Sequence, residues 1–210
     1  MQLISTSFSD GAAIPGEFCF AVIDPKHHVK LSANRNPHLS WSSAPDKTRS
    51  FALICHDPDV PSRGDDVNQE GREVPATLAR VDFFHWLLWD IPATTRQIAA
   101  GSHSNGVVAH GKPGPEAPGG MRHGLNDYTN WFADDAAMRG EYFGYDGPCP
   151  PWNDSILHHY IFTVFALDIA ALNVSGALVG ANVRAALRGH VLAEAHIRGT
   201  YTLNPHLKKT

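Results

Sequence analysis

Two aspartates stand two residues apart in Cys55-His56-Asp57-Pro58-Asp59-Val60-Pro61, directly after the apolar run Phe51 to Ile54. Each proline fixes its own φ and pushes the residue before it toward an extended or turn conformation. The two carboxylates are therefore held in place, and the prolines are expected to end the strand that carries them. His85 lies in a second apolar stretch, Val81 to Pro92, and His158 with Tyr160 in a third, His158 to Asp168. Burying an unpaired ionisable group is costly, so apolar strands that carry His and Asp are expected to bring them together. One shared pocket of Asp57, Asp59, His85, His158 and Tyr160 follows. Two His and one Asp could make a metal triad with open positions, and an Asp-His pair could serve as a general base for hydrolysis. Against both, the sequence has no H-E-x-x-H spacing and no Ser in a G-x-S-x-G turn.

The elements that must position these groups are strands. Phe18 to Ile23 is apolar on both faces, as in a buried sandwich strand, and Leu39 to Trp41 is a short strand between loop markers. Phe51 to Asp57 is the next. Ser62 to about Arg80 is a charged insertion, expected to be a solvated loop without chemistry. In the stretch from Val81, alternation puts Val81, Phe83, His85, Leu87 and Trp89 on one face and Phe84, Trp86 and Leu88 on the other. Ala99 to about Gly147 is rich in Gly and Pro and is expected to be partly disordered or to form a rim. Its aromatics Trp131, Phe132, Tyr142 and Phe143 could cover a second copy in a homodimer or a satellite core. Gly144 to Trp152 packs three prolines among aromatics, as a passage built to hold a shape. In the strand from His158, alternation places His158 and Tyr160 on one face and His159 on the other. Val183, Ala186, Leu187, His190 and Val191 recur at helical spacing, which predicts an amphipathic helix over Asn182 to Ile197, capped by Asn182, before a last strand from Gly199 to Leu203.

With 210 residues, 43% of them hydrophobic, the chain suffices for one well-buried core and is short for two, so a single domain over 1–210 is expected. A net charge of -4, with 17 scattered Lys and Arg, argues against a nucleic-acid partner. No apolar run approaches the ~18 residues of a membrane span, and the N-terminus lacks a basic region followed by an apolar one, so the chain reads as cytoplasmic with no transmembrane segment. Cys19, Cys55 and Cys149 show no C-x-x-C spacing, which fits free thiols and no metal.

Read together, Asp57-Pro58-Asp59-Val60-Pro61-Ser62-Arg63, Phe84-His85-Trp86 with Asp90-Ile91-Pro92, and Gly147-Pro148-Cys149-Pro150-Pro151 running into His158-His159-Tyr160 resemble the phosphatidylethanolamine-binding protein family. The likeness is to its bacterial members similar to Raf kinase inhibitor protein. Phe8 to Gly11, Asn36 to Trp41, Gly189 to Ala193 and Gly199-Thr200-Tyr201 extend it over nearly the whole chain. The resemblance implies a mostly β single-domain sandwich with a few peripheral helices, one near the C-terminus, and a small anion pocket. It implies a non-catalytic binding protein, with no cofactor, for phosphate or phospholipid head groups. A kinase or protease is the protein partner it implies. The alternative is a hydrolase or metal-dependent enzyme using the His/Asp pocket. Carried over by position, the ligand-binding residues would be Asp57, Asp59, His85, Pro150, Pro151, His158 and Tyr160. Where the family usually has Arg after the third-motif histidine, this chain has His159. His85, His158, the Tyr160 hydroxyl and loop N–H groups would donate to a phosphate. Asp57 and Asp59 would orient and charge the histidines, or receive an ammonium group. Phosphate affinity is then expected to weaken as pH rises through the histidine pKa.

Overall fold

The computed structural model describes residues 1–207. The chain opens with β1 (Gln2–Ile4), a hairpin of β2 (Ala21–Asp24) and β3 (His28–Leu31), and β4 (Leu39–Ser42). β5 (Ser50–Pro61) and β6 (Arg80–Pro92) are long and antiparallel. Short β7 (Gln97–Ile98), β8 (Gly111–Lys112) and β9 (Arg122–His123) precede helix α1 (Tyr128–Trp131) and β10 (Glu141–Tyr142). β11 (His158–Leu167), α2 (Gly180–Leu187) and β12 (Val191–Tyr201) complete the order. The main sheet runs β12-β11-β5-β6-β9, and a second sheet runs β1-β4-β7.

Between these sheets Leu3, Leu39, Trp41 and Ile98 pack against Phe51, Leu53, Trp86, Leu88 and Phe162. On the outer face of the main sheet Ala52, Ile54, Leu87 and Trp89 are covered by Val183 and Leu187 of α2. β5 is thus buried on both sides, which is why its apolar run does not alternate. The result is the expected β-sandwich with peripheral helices.

Four elements differ from the sequence reading. The prolines do not end β5: the strand continues to Pro61, and its last pair with β11 is His56 with Ile161. Beyond that point a missing N–H costs no ladder bond on the β11 side. In β6 the alternation breaks at His85, because Cys55 pairs with Trp86 and His56 with Phe84, leaving His85 as the extra residue of a bulge. Trp86 and Leu88 therefore join the inner core, while Leu87 and Trp89 turn outward with Phe84. The predicted helix over Asn182 to Ile197 is half strand. α2 ends at Leu187, a turn with Gly189 at φ 83° reverses the chain, and β12 begins at Val191. The helical spacing ran through the turn by coincidence, whereas Ala193, Ala195 and Ile197 against Glu194, His196 and Arg198 show the strand's period of two. Lastly, Phe18 belongs to a 3-10 turn (Gly16–Phe18), and the strand that follows starts only at Ala21 and is partly buried in the β2–β3 hairpin, not a fully buried sandwich strand.

Candidate functional site

The bulge at His85, the proline-rich end of β5 and the start of β11 meet at one end of the main sheet. There a cleft of about 620 Å³ opens, bounded by the β2–β3 hairpin, the insertion after β5 and the α1 region. Its walls are apolar: Val29 and Leu31 on one side, Trp131, Phe132 and Met138 on another, Val67 from the insertion. At the rim the His28 ring stacks on Trp152 at 3.8 Å and its Nε2 meets Glu70 at 2.6 Å, tying the hairpin to the insertion. The insertion is thus a wall, which its charged composition did not suggest.

The polar floor is small. Asp57, 1% exposed, follows Leu53 and Cys55 on the inward face of β5 and reaches the cleft. One of its oxygens accepts the Asp59 N–H at 2.7 Å, and the other faces His158 Nδ1 at 2.7 Å. His158 is fully buried behind the floor, with Nε2 3.0 Å from Asp154 Oδ2. Arg80 completes the row, its guanidinium donating to both Asp154 oxygens at 2.6 and 3.0 Å. Burial alone would push His158 down, but its hydrogen bonds to Asp154 and Asp57 outweigh that and hold the imidazolium up to about 9. Both nitrogens then donate, and the ring has no lone pair with which to take a proton from a ligand.

His85 is the opposite case. Its Nδ1 lies 2.7 Å from the Asp146 carbonyl, and burial pushes its pKa down to about 4. The ring is neutral near pH 7, Nδ1–H donates to that carbonyl, and Nε2 remains an acceptor. Asp146 is itself fixed by Asn34, Asn126 and Lys112, at 2.7, 2.8 and 3.0 Å from its carboxylate. Beside this network His103 Nδ1 and His123 Nε2 lie 3.0 Å apart, with burial lowering them to about 4 and 3.

Tyr160 lines the cleft with a buried hydroxyl that meets no hydrogen-bond partner among the described residues. Burial keeps it protonated. Its ring lies 5.1 Å from that of His85, and Phe83 and Tyr128 flank His85 at 4.9 and 5.7 Å. Pro150 and Pro151 close one side, with Cys149, whose thiol burial pushes up to about 12.

Of the residues singled out in the sequence, the cleft brings together Asp57, His85, Pro150, Pro151 and Tyr160. It does not take Asp59 or His158. Across the irregularity between Asp57 and Val60, Asp59 turns to the outer face, where it accepts the His159 N–H and meets His159 Nδ1, both at 2.8 Å. Instead of Asp57 and Asp59, the carboxylates on His158 are Asp57 and Asp154, and at His85 burial outweighs the pull of Asp57. Sequence reasoning missed Asp154 and Arg80, whose positions in irregular chain and at a strand end give no periodic signal. It also missed Tyr128, although Tyr128, Trp131 and Phe132 carry the i, i+3, i+4 spacing of a helical turn. Trp131 is half exposed at the mouth, while Tyr142 and Phe143 are buried, Tyr142 as part of the main core beside Tyr128 and Phe132. Among the described residues no group of three or more His, Cys, Asp and Glu could hold a metal ion, and no helix is long and apolar enough to cross a membrane.

Comparison with known proteins adds to this geometry. A family model described as phosphatidylethanolamine-binding protein matches residues 4–202. The UPF0098 protein YbhB of Escherichia coli is 32% identical over 96% of this chain and 100% of its own length. A UPF0098 protein of Aquifex aeolicus is 30% identical over 96% of this chain and 88% of its own. Among solved structures, E. coli YbcL, described as a member of the mammalian PEBP family, superposes with a TM-score of 0.67 at 26% identity, covering 96% of this chain and 97% of that one. The Chlamydia trachomatis homologue CT736 gives 0.61 at 26% identity, covering 95% of each.

Proposed function

Because the chain belongs to the phosphatidylethanolamine-binding protein family, whose members are named as binding proteins, we propose that it is a non-catalytic binding protein for a phospholipid-type amphiphile. The phosphorylated head group would sit at the floor formed by Asp57, His85 and Tyr160, and the apolar part would lie along the walls. The Tyr160 hydroxyl carries this reading. A buried hydroxyl left without a partner costs about 1–3 kcal/mol, and a head group reaching the floor removes that cost. The apolar walls then explain why the cleft is far larger than one phosphate needs. A hydrolytic role is less supported, since His158 is closed at both nitrogens and burial lowers His85, whose Nε2 is free, to about 4, which makes it a weak base near pH 7.

Titration calorimetry with lysophosphatidylethanolamine below its micellar concentration tests the proposal. The wild-type chain is expected to give a saturable one-site isotherm. Tyr160→Phe should weaken it about 10-fold to 100-fold, the worth of a hydrogen bond to a charged group. The same variant should melt no lower than wild type, because it deletes an unpartnered polar atom. Absence of saturable heat, or undiminished affinity in Tyr160→Phe, would sink the reading.

A further inference from the structure

The floor that would seat a phosphoryl group has no free cation of its own. Both Asp57 oxygens already accept a bond, one from the Asp59 N–H and the other from His158 Nδ1. The row Asp57, His158, Asp154, Arg80 alternates in sign, and its charges cancel. Within it the His158 imidazolium is fully buried with a carboxylate on each nitrogen, closed to a ligand. Among the described lining residues the one with a permanent positive charge is Arg63, which stands in solvent with its side chain 69% exposed and 3.5 Å from Asp65. The Tyr160 hydroxyl supplies one donor. A phosphoryl anion is held best by several charge-assisted donors, so the empty floor lacks a positive charge and an N–H to go with it.

His85 can supply both. Its Nδ1 lies 2.7 Å from the Asp146 carbonyl, which only accepts, so Nδ1 keeps its hydrogen in either charge state and Nε2 is the atom that gains or loses a proton. The Asp146 N–H donates in turn to the His85 carbonyl at 3.0 Å, so one residue fixes both backbone and ring. The charged and titratable groups around the ring are Asp57 and His56 of β5, His158 and Tyr160 of β11, Tyr128 of α1, and Asp146 and Cys149 of the proline-rich passage. Asp57 favours the imidazolium, His158 and His56 oppose it, and burial dominates, which keeps the ring of the empty cleft neutral near pH 7. Burial also holds the two tyrosines and the thiol protonated, and the Asp146 carboxylate is taken up by Asn34, Asn126 and Lys112. We infer that the cleft takes up one proton together with its anionic ligand: a phosphoryl group reaching the floor is met by His85 protonated at Nε2, which donates to it beside the Tyr160 hydroxyl. The proton comes from solvent and returns to it when the ligand leaves. This rests on the head-group binding proposed above and adds its regulation by pH. An anion ~4 Å from the ring, at an effective dielectric of about 20, favours the charged form about 1000-fold. From the empty-site value of about 4, that is enough to charge most of the ring at pH 6 once a ligand is bound.

The test uses hexyl methyl phosphate, a diester whose single negative charge does not titrate near neutral pH, so that any proton taken up enters the protein. Calorimetry at pH 6 in two phosphate-free buffers of different ionisation enthalpy is expected to show close to one proton taken up per probe bound. Affinity should fall about 20-fold from pH 5.5 to pH 7.5, the consequence of that 1000-fold preference. His85→Gln keeps a polar side chain that cannot gain a proton, and it should lose both the uptake and the pH dependence. If His85→Gln does not fold, the two-buffer comparison on the wild-type chain still decides the matter. Probe binding without proton uptake, or uptake that persists in folded His85→Gln, overturns the inference and leaves the head-group reading standing. Lysophosphatidylethanolamine binding without binding of the diester does the same. Failure of both the diester and the lysophospholipid overturns the head-group reading as well.

Discussion

At the scale of single residues, two histidines of similar burial end in opposite charge states because of what their nitrogens meet. His85 finds one backbone carbonyl and stays neutral, whereas His158 finds Asp57 and Asp154 and stays charged. The folded pKa of His158, about 9, lies above its ordinary 6.5. Its contribution to stability is thus fully present below about pH 6.5 and is lost as pH rises through about 9. Removing the ring leaves buried Asp57 with only the Asp59 N–H, while Asp154 keeps Arg80, so His158→Ala should cost about 3–5 kcal/mol. Urea unfolding at pH 7, 8 and 9 checks both points: wild type should weaken across that series, and the variant should be weaker throughout with a flatter response. The residue types of the site were legible in the sequence, since Asp and His on apolar strands must find partners. Which His met which Asp was not, because Asp154 and Arg80 come from segments without periodicity. The expected loss of phosphate affinity through a histidine titration moves to low pH for a different reason, since burial pushes the histidine at the floor down to about 4.

Among the elements, β5, β6 and β11 were readable from their apolar runs, and the helix near the C-terminus was half readable. What defeated the reading was irregularity. A one-residue bulge inverts every side chain beyond it, and period-two counting cannot see a bulge. The same bulge makes the site, for it turns His85 and Trp86 to the same side of the sheet, one to the cleft and the other to the core. Outside the sheet, α2 rests on Phe84 at Gly180, where a Cβ would stand 2.2 Å from that ring. Gly180→Ala should therefore destabilise by about 1–3 kcal/mol through overpacking. Thermal unfolding reads this as a lowered midpoint; an unchanged midpoint would mean that the helix can lift off the ring without loss.

For the whole molecule, the buried histidines set opposing limits. His85, His103 and His123, with folded values of about 4, 4 and 3, are neutral in the fold but protonate near 6.5 in the unfolded chain. Stability is lost as pH falls below about 6.5 on their account, and lost above it on account of His158. From these four groups a maximum near pH 7, where the unfolded chain and the fold bind equal numbers of protons on them, is expected in urea midpoints measured from pH 4.5 to 9, and a steady rise across that range would contradict it. The row of charges behind the cleft also bears on the order of assembly. Asp57 comes from β5, Arg80 from β6, and Asp154 and His158 from chain made some 75 to 100 residues later. During synthesis from the N-terminus, Asp57 and Arg80 emerge long before their partners, so a nascent chain ending before Asp154 contains both and has no binding floor. Competence for a ligand is thus acquired late, at the step that closes β11 against β5, and a ribosome-bound chain would gain it only after that strand has cleared the exit tunnel.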